Sequence, residues 1–194
     1  MRSIAFAVAG ALIFTAAALR SARTGRAPAR QAQLAKDDQL ARPLDYRQWV
    51  YLSSGLGMEY SASSYGPQLF TNVFVAPAAY RQFLATGKWP DGTMFVLEER
   101  EGLNKGSINK AGHYQGDLEG LSASVKDASR FPGGWAYFKF ANGASNATPM
   151  PRPACWECHN AHGAVDNTFV QFYPTLKPVA RKFGAYDERK TAAP

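Results

Sequence analysis

The only two cysteines of the 194-residue chain stand in Cys155-Trp156-Glu157-Cys158-His159. Two thiols one helical turn apart, with an imidazole directly after them, have a short list of chemical uses. A disulfide across C-x-x-C closes so small a loop that it hardly constrains the unfolded chain. A redox dithiol of the thioredoxin kind belongs in a βαβ setting, which the flanking sequence does not offer. A structural zinc site takes four ligands, and this cluster supplies at most three. The remaining use engages every residue. C-x-x-C-H is the attachment signature of c-type haem, in which both thiols add to the haem vinyl groups and the adjacent histidine binds iron. The expectation is one covalent haem c, held by Cys155 and Cys158, with His159 as the metal ligand.

The chemistry of a haem iron then depends on its sixth position. His162 follows His159 by three residues on the same short helix and cannot cross to the other face. His113 begins a strand after a glycine-rich loop and reads as an exposed polar residue. Met150 lies five residues before Cys155, too close for the chain to wrap the macrocycle, and Met58 and Met94 read as core. These assignments predict an open distal side and five-coordinate, high-spin iron.

The elements that must position this site read as follows. Residues 47 to 60 begin with alternating aromatic and polar residues and loosen at Gly55 and Gly57. FTNVFV (70 to 75) is a strand with Phe70, Asn72 and Phe74 on one face, and TMFVLEERE (93 to 101) is a second with Phe95 and Leu97 on one face. Between them Pro77 opens a helix that Gly87 closes. Residues 102 to 112 form a polar loop, 113 to 127 one or two strands interrupted by glycine, and WAYFKF (135 to 140) a clean alternation. Beyond a proline-rich loop the period changes: 154 to 163 reads as a short helix, and 168 to 183 as a longer one strained by Pro174 and Pro178. The fold class is α+β, predominantly antiparallel β-sheet with an inserted helix and a C-terminal helical haem-binding segment.

Charge separates the chain into parts. Residues 20 to 42 carry six Lys/Arg against two Asp, whereas residues 43 to 194 carry fifteen against thirteen, so the net +7 is mostly a property of the leader. That distribution excludes nucleic acid as a partner, because the body has no dense basic stripe. Residues 4 to 18 form an apolar run after Met1-Arg2 and end in Ala16-Ala17-Ala18. The run is short for a membrane span and reads as a secretory signal. An uncleaved anchor is the alternative. The expected organisation is a signal peptide over 1–18, a flexible basic leader over 19–43 and one haem domain over 44–194. The expected location is the periplasm, with no membrane attachment once the signal is removed.

Several ordered blocks together resemble the cytochrome P-460 family: YRQWVYL, FTNVFVAPAAYRQFLATGKWPDGTMFVLE, GLSASVKDASRFPGGWAYFKF and CWECHNAHGAVDNTFVQFYPTL. The resemblance covers roughly residues 44 to 183. It implies exported, single-haem c-type proteins, a sheet over the distal haem face, and commonly a homodimer. Hydroxylamine-oxidising members carry a lysine bonded to the porphyrin, which the D-G-T turn aligns with Leu97. No lysine lies between 89 and 104. Those members also use a distal carboxylate in a block that here reads GLSASVKD, with Ser122 at its position. Both departures resemble the non-crosslinked branch, the cytochromes c-prime-beta, whose distal face is apolar and often capped by phenylalanine.

On that resemblance Leu97, with Phe95, Phe70 and Phe74, is expected to line the distal face, and Ser122 replaces the proton acceptor. The implied activity is binding or detoxifying a small gas such as nitric oxide. Oxidation of hydroxylamine or a related nitrogen compound is the enzymatic alternative. A periplasmic electron carrier with a redox partner is the third.

Overall fold

A computed structural model describes residues 34–59 and 66–191. The expected signal peptide, and the leader up to residue 33, lie outside the described residues. Among those described, no helix is long and apolar enough to cross a membrane.

The body is an antiparallel meander of five strands in chain order. They are β2 (Val50–Leu56), β3 (Leu69–Val75), β4 (Met94–Leu103), β5 (Tyr114–Lys126) and β6 (Trp135–Phe140). A short pair, β1 (Leu40–Ala41) with β7 (Asn146–Ala147), closes one side. Helix α1 (Pro77–Thr86) fills the β3–β4 connection, starting at a proline and ending at Gly87 in the left-handed conformation. Its placement is the one the sequence predicts. Helix α2 (Arg152–His162) carries the C-x-x-C-H residues and starts slightly earlier than expected.

One expectation changes, and one open alternative is settled. Residues 168 to 183 do not form one helix: a 3-10 turn at Val170–Phe172 is followed by extended Tyr173, and α3 spans only Lys177–Lys182. Pro174 has no N–H for a continuing helix, whereas Pro178 sits in the first turn of α3, where none is needed. β5 is a single strand despite Gly116 and Gly120. At both glycines the missing side chain makes room for a carboxylate from β4, Glu101 and Glu99 respectively.

Strand register sorts the sheet into two faces. Opposite residues Val75, Phe95, Ser124 and Tyr137 share one face, as do Val73, Leu97, Ser122 and Lys139 one row along. This face packs Val75, Phe95, Trp135 and Tyr137 against Phe83 of α1 and against Val165, Val170, Tyr173, Leu176 and Ala180 of the C-terminal segment. The other face buries Met94, Val96, Leu121, Val125 and Phe138 under Leu40, Tyr46 and Phe131.

That second face also holds a buried carboxylate. Glu98 is 3% exposed and accepts from Tyr46 Oη, Asn72 Nδ2, Arg47 and Arg100. Burial pushes its carboxyl up, but the hydrogen bonds from Arg100, Tyr46 and Asn72 outweigh this and hold it at about 2.

Candidate haem site

Helix α2 lies against β6 and presents Cys155 and Cys158 one turn apart, both as free thiols, Cys155 half-buried and Cys158 exposed. Burial, then the neighbouring Cys158, pushes the Cys155 thiol up, while Lys139 acts the other way. His159 follows in the last turn. Its ring is wedged between Tyr137 of β6 and Phe169, with centroids 4.4 Å from each.

The orientation of that ring is set by a turn that sequence reading did not single out. Val165 and Thr168 bridge each other across Asp166 and Asn167, which have φ of 44° and 58°. Two successive left-handed residues are the signature of a type I′ hairpin turn, and Asp-Asn tolerates them. The Asn167 carbonyl at the top of this turn lies 2.9 Å from His159 Nδ1. A carbonyl only accepts, so Nδ1 carries the proton and Nε2 presents its lone pair. Burial pushes His159 down and outweighs the opposing Asn167 bond, and the net lowering favours the neutral imidazole that a metal requires.

The turn itself is clamped from the sheet. Trp135 Nε1 and Lys126 Nζ both donate to Asp166, at 3.1 and 2.6 Å. Trp89 Nε1 donates to Thr168 Oγ1 at 3.0 Å. Gly163, between helix and turn, allows the close approach. A Cβ there would meet the His159 carbonyl oxygen at 2.6 Å and the Asn167–Thr168 peptide at 2.8 Å. The sequence signals were present, in a Gly after the motif and an Asp-Asn pair, but only contacts reveal what they hold.

The predicted distal residues separate. Leu97 and Ser122 are direct partners across β4 and β5, half-buried on the His159 face. Phe95 shares that face but is enclosed by Trp89, Trp135 and Tyr173, at 5% exposure, as ordinary core. Phe70 and Phe74 are on the opposite face: they pair with Arg100 and Val96, and Phe74 packs edge-on against Tyr46. One residue of register decides this, because neighbouring positions point to opposite sides.

Other candidates also resolve. His113 and His162 are exposed. Met94 belongs to the core of the opposite face, while Met150 is partly buried against the core of the His159 face. Met58 is not core. It is 40% exposed, and its sulfur lies over Gly55, on the His159 face beside Thr71. Among the described residues no three His, Cys, Asp or Glu side chains cluster as a metal site.

The match to a family model now becomes informative. The model for cytochrome P-460 matches residues 43–170, from the start of the body through the histidine turn. The chain belongs to the cytochrome P-460 family. No curated protein matches the chain. Cytochrome P-460 membership means a haem cytochrome, and the residues present fit that group. Two free thiols and a neutral imidazole with its outer nitrogen available form the donor set. Asn167 Nδ2 is buried without an acceptor, so a group from outside the chain can satisfy it. On the same face of the sheet as His159, the row of Val73, Leu97 and Ser122 is half-buried and forms a candidate floor for the group.

Proposed function

We propose that this cytochrome P-460 is an exported, single-haem c-type cytochrome that binds small neutral gases, nitric oxide foremost, on the floor formed by Leu97 and Ser122. Cys155 and Cys158 would hold the haem covalently, each thiol adding its sulfur to one vinyl carbon and its proton to the other, so that no oxidant would be needed. When bound, the haem supplies an iron that can hold a gas ligand. The chain's own residues do the rest. His159 Nε2 would hold the iron, and Asn167 orients the ring and would strengthen the imidazole as a donor. Leu97 offers no hydrogen bond to an anion or to bound dioxygen, and Ser122 is a poor proton acceptor, so the floor favours uncharged diatomics over proton-coupled oxidation.

The observation that carries this reading is the 2.9 Å contact between His159 Nδ1 and Asn167 O beside two unpaired thiols. Ferric and ferrous absorption spectra of the purified protein test it. Haem that resists acid-acetone extraction, with a high-spin ferrous spectrum and rapid uptake of carbon monoxide and nitric oxide, is the expected result. A strongly red-shifted ferrous Soret band would instead support the hydroxylamine-oxidising reading.

A second reading has one observation in its favour. The Met58 sulfur on the His159 face is a thioether available to a six-coordinate electron carrier, and a low-spin ferric spectrum that Met58→Ala converts to high-spin would establish it. Two further parts of the proposal are the periplasmic location and a homodimer. N-terminal sequencing of the secreted protein and sedimentation of the holoprotein test them.

A further inference from the structure

β4 places Glu99 one position beyond Leu97 on the His159 face, with Thr71 and Gly120 as its direct partners. The two β4 side chains are therefore about 7 Å apart along the strand. Gly120 leaves its side-chain space empty, and the Glu99 carboxylate occupies it: a Cβ on Gly120 would stand 2.1 Å from Glu99 Oε2. The carboxylate is thus held down over β5, two residues from Ser122, instead of reaching into solvent. Glu99 is half-buried. Its chain neighbours Glu98 and Arg100 pair with each other on the opposite face, and among the described residues no cation pairs with Glu99. The one cation on the neighbouring row is Lys139, across from Ser122 on β6 and exposed, where water and salt screen it.

A carboxylate beside Leu97 changes the electrostatics of the floor. We propose that Glu99 sets the ligand class of this face, repelling anions and admitting uncharged molecules. This rests on the haem reading above and refines it: the floor is not merely apolar but apolar with a carboxylate at its border, and Glu101 follows on the same face one position further out. The loss of the carboxylate at Ser122 is therefore not the loss of all charge from the distal side.

The test compares wild-type holoprotein with Glu99→Gln, titrating the ferric form with azide and the ferrous form with carbon monoxide. A charge about 7 Å from Leu97 along β4, in a half-exposed setting, predicts roughly three- to tenfold tighter azide binding in the variant. The difference should shrink at about 0.5 M salt, and carbon monoxide binding should not change. Equal azide affinity in the two proteins overturns the proposal. So does an equal change for azide and carbon monoxide, which would mean altered access instead of charge. Should Glu99→Gln fail to retain haem, Glu99→Ala removes the same charge and is judged by the same two outcomes. Wild-type protein without covalent haem would overturn the functional reading as a whole, whereas intact holoprotein indifferent to Glu99 overturns only this refinement.

Discussion

Gly163 is the residue on which the geometry of His159 turns, and replacing it by alanine isolates that geometry. Its φ of −72° and ψ of 112° are available to any residue, so alanine carries no conformational penalty there. The penalty is contact. The new Cβ would lie 2.6 Å from the His159 carbonyl oxygen and 2.8 Å from both Asn167 C and Thr168 N. All three are backbone atoms, and the turn cannot simply retreat because Trp89, Lys126 and Trp135 hold it. Relief to ordinary contact asks for roughly 0.7 Å, enough to stretch the 2.9 Å bond between His159 Nδ1 and Asn167 O out of range.

Overpacking of this kind costs about 1–3 kcal/mol, and the lost hydrogen bond about 1 more. The sum, about 2–4 kcal/mol, corresponds to a fall of roughly 4–16 °C in the melting temperature of a domain this size. Thermal and urea unfolding of the holoprotein measure the stability. Resonance Raman of the ferrous form measures the iron–histidine stretch, which should drop in frequency as the imidazole loses its carbonyl partner. Gly66→Ala, at a position with no neighbour within 4 Å among the described residues, is the control and should be neutral. A Gly163→Ala protein with wild-type stability and an unshifted stretch would refute the reasoning.

Glu98 gives a pH dependence with a defined sign. Its folded carboxyl is held at about 2, below the ordinary 4.5, so between those values the unfolded chain binds more protons. The associated stability, roughly 3 kcal/mol, is complete above about pH 4.5 and is lost as pH falls towards 2. Urea unfolding should show that loss in the wild type and a flatter profile in Glu98→Gln. Replacing both Cys155 and Cys158 with serine should make the haem extractable by acid-acetone, and retention of the colour in the protein would refute thioether attachment. Leu97→Lys should not confer hydroxylamine oxidation, because Ser122 still lacks the proton acceptor. Robust turnover by that single variant would show that the lysine alone was missing.

Local pattern made much of this protein legible. The C-x-x-C-H residues are contiguous, and a helix of any origin presents them together. The strands at 70 to 75, 93 to 101 and 135 to 140 announce themselves by alternation, and α1 by Pro77 and Gly87. The element that failed was the long helix at 168 to 183, where Pro174 outweighed the apolar spacing.

What sequence alone determined is the grouping of Cys155, Cys158 and His159, which lie within one and a half helical turns, and the family to which the chain belongs. Tertiary structure decided the rest, because it rests on contacts between distant segments. Register across β3 and β4 sent Phe70 and Phe74 away from His159 while keeping Leu97 opposite Ser122. The clamp from Trp89, Lys126 and Trp135 onto the Asp166–Asn167 turn fixed which nitrogen of His159 is free. The glycine gap at 120 brought Glu99 down beside the floor. Each is a relation between residues far apart in the chain, which no local period encodes.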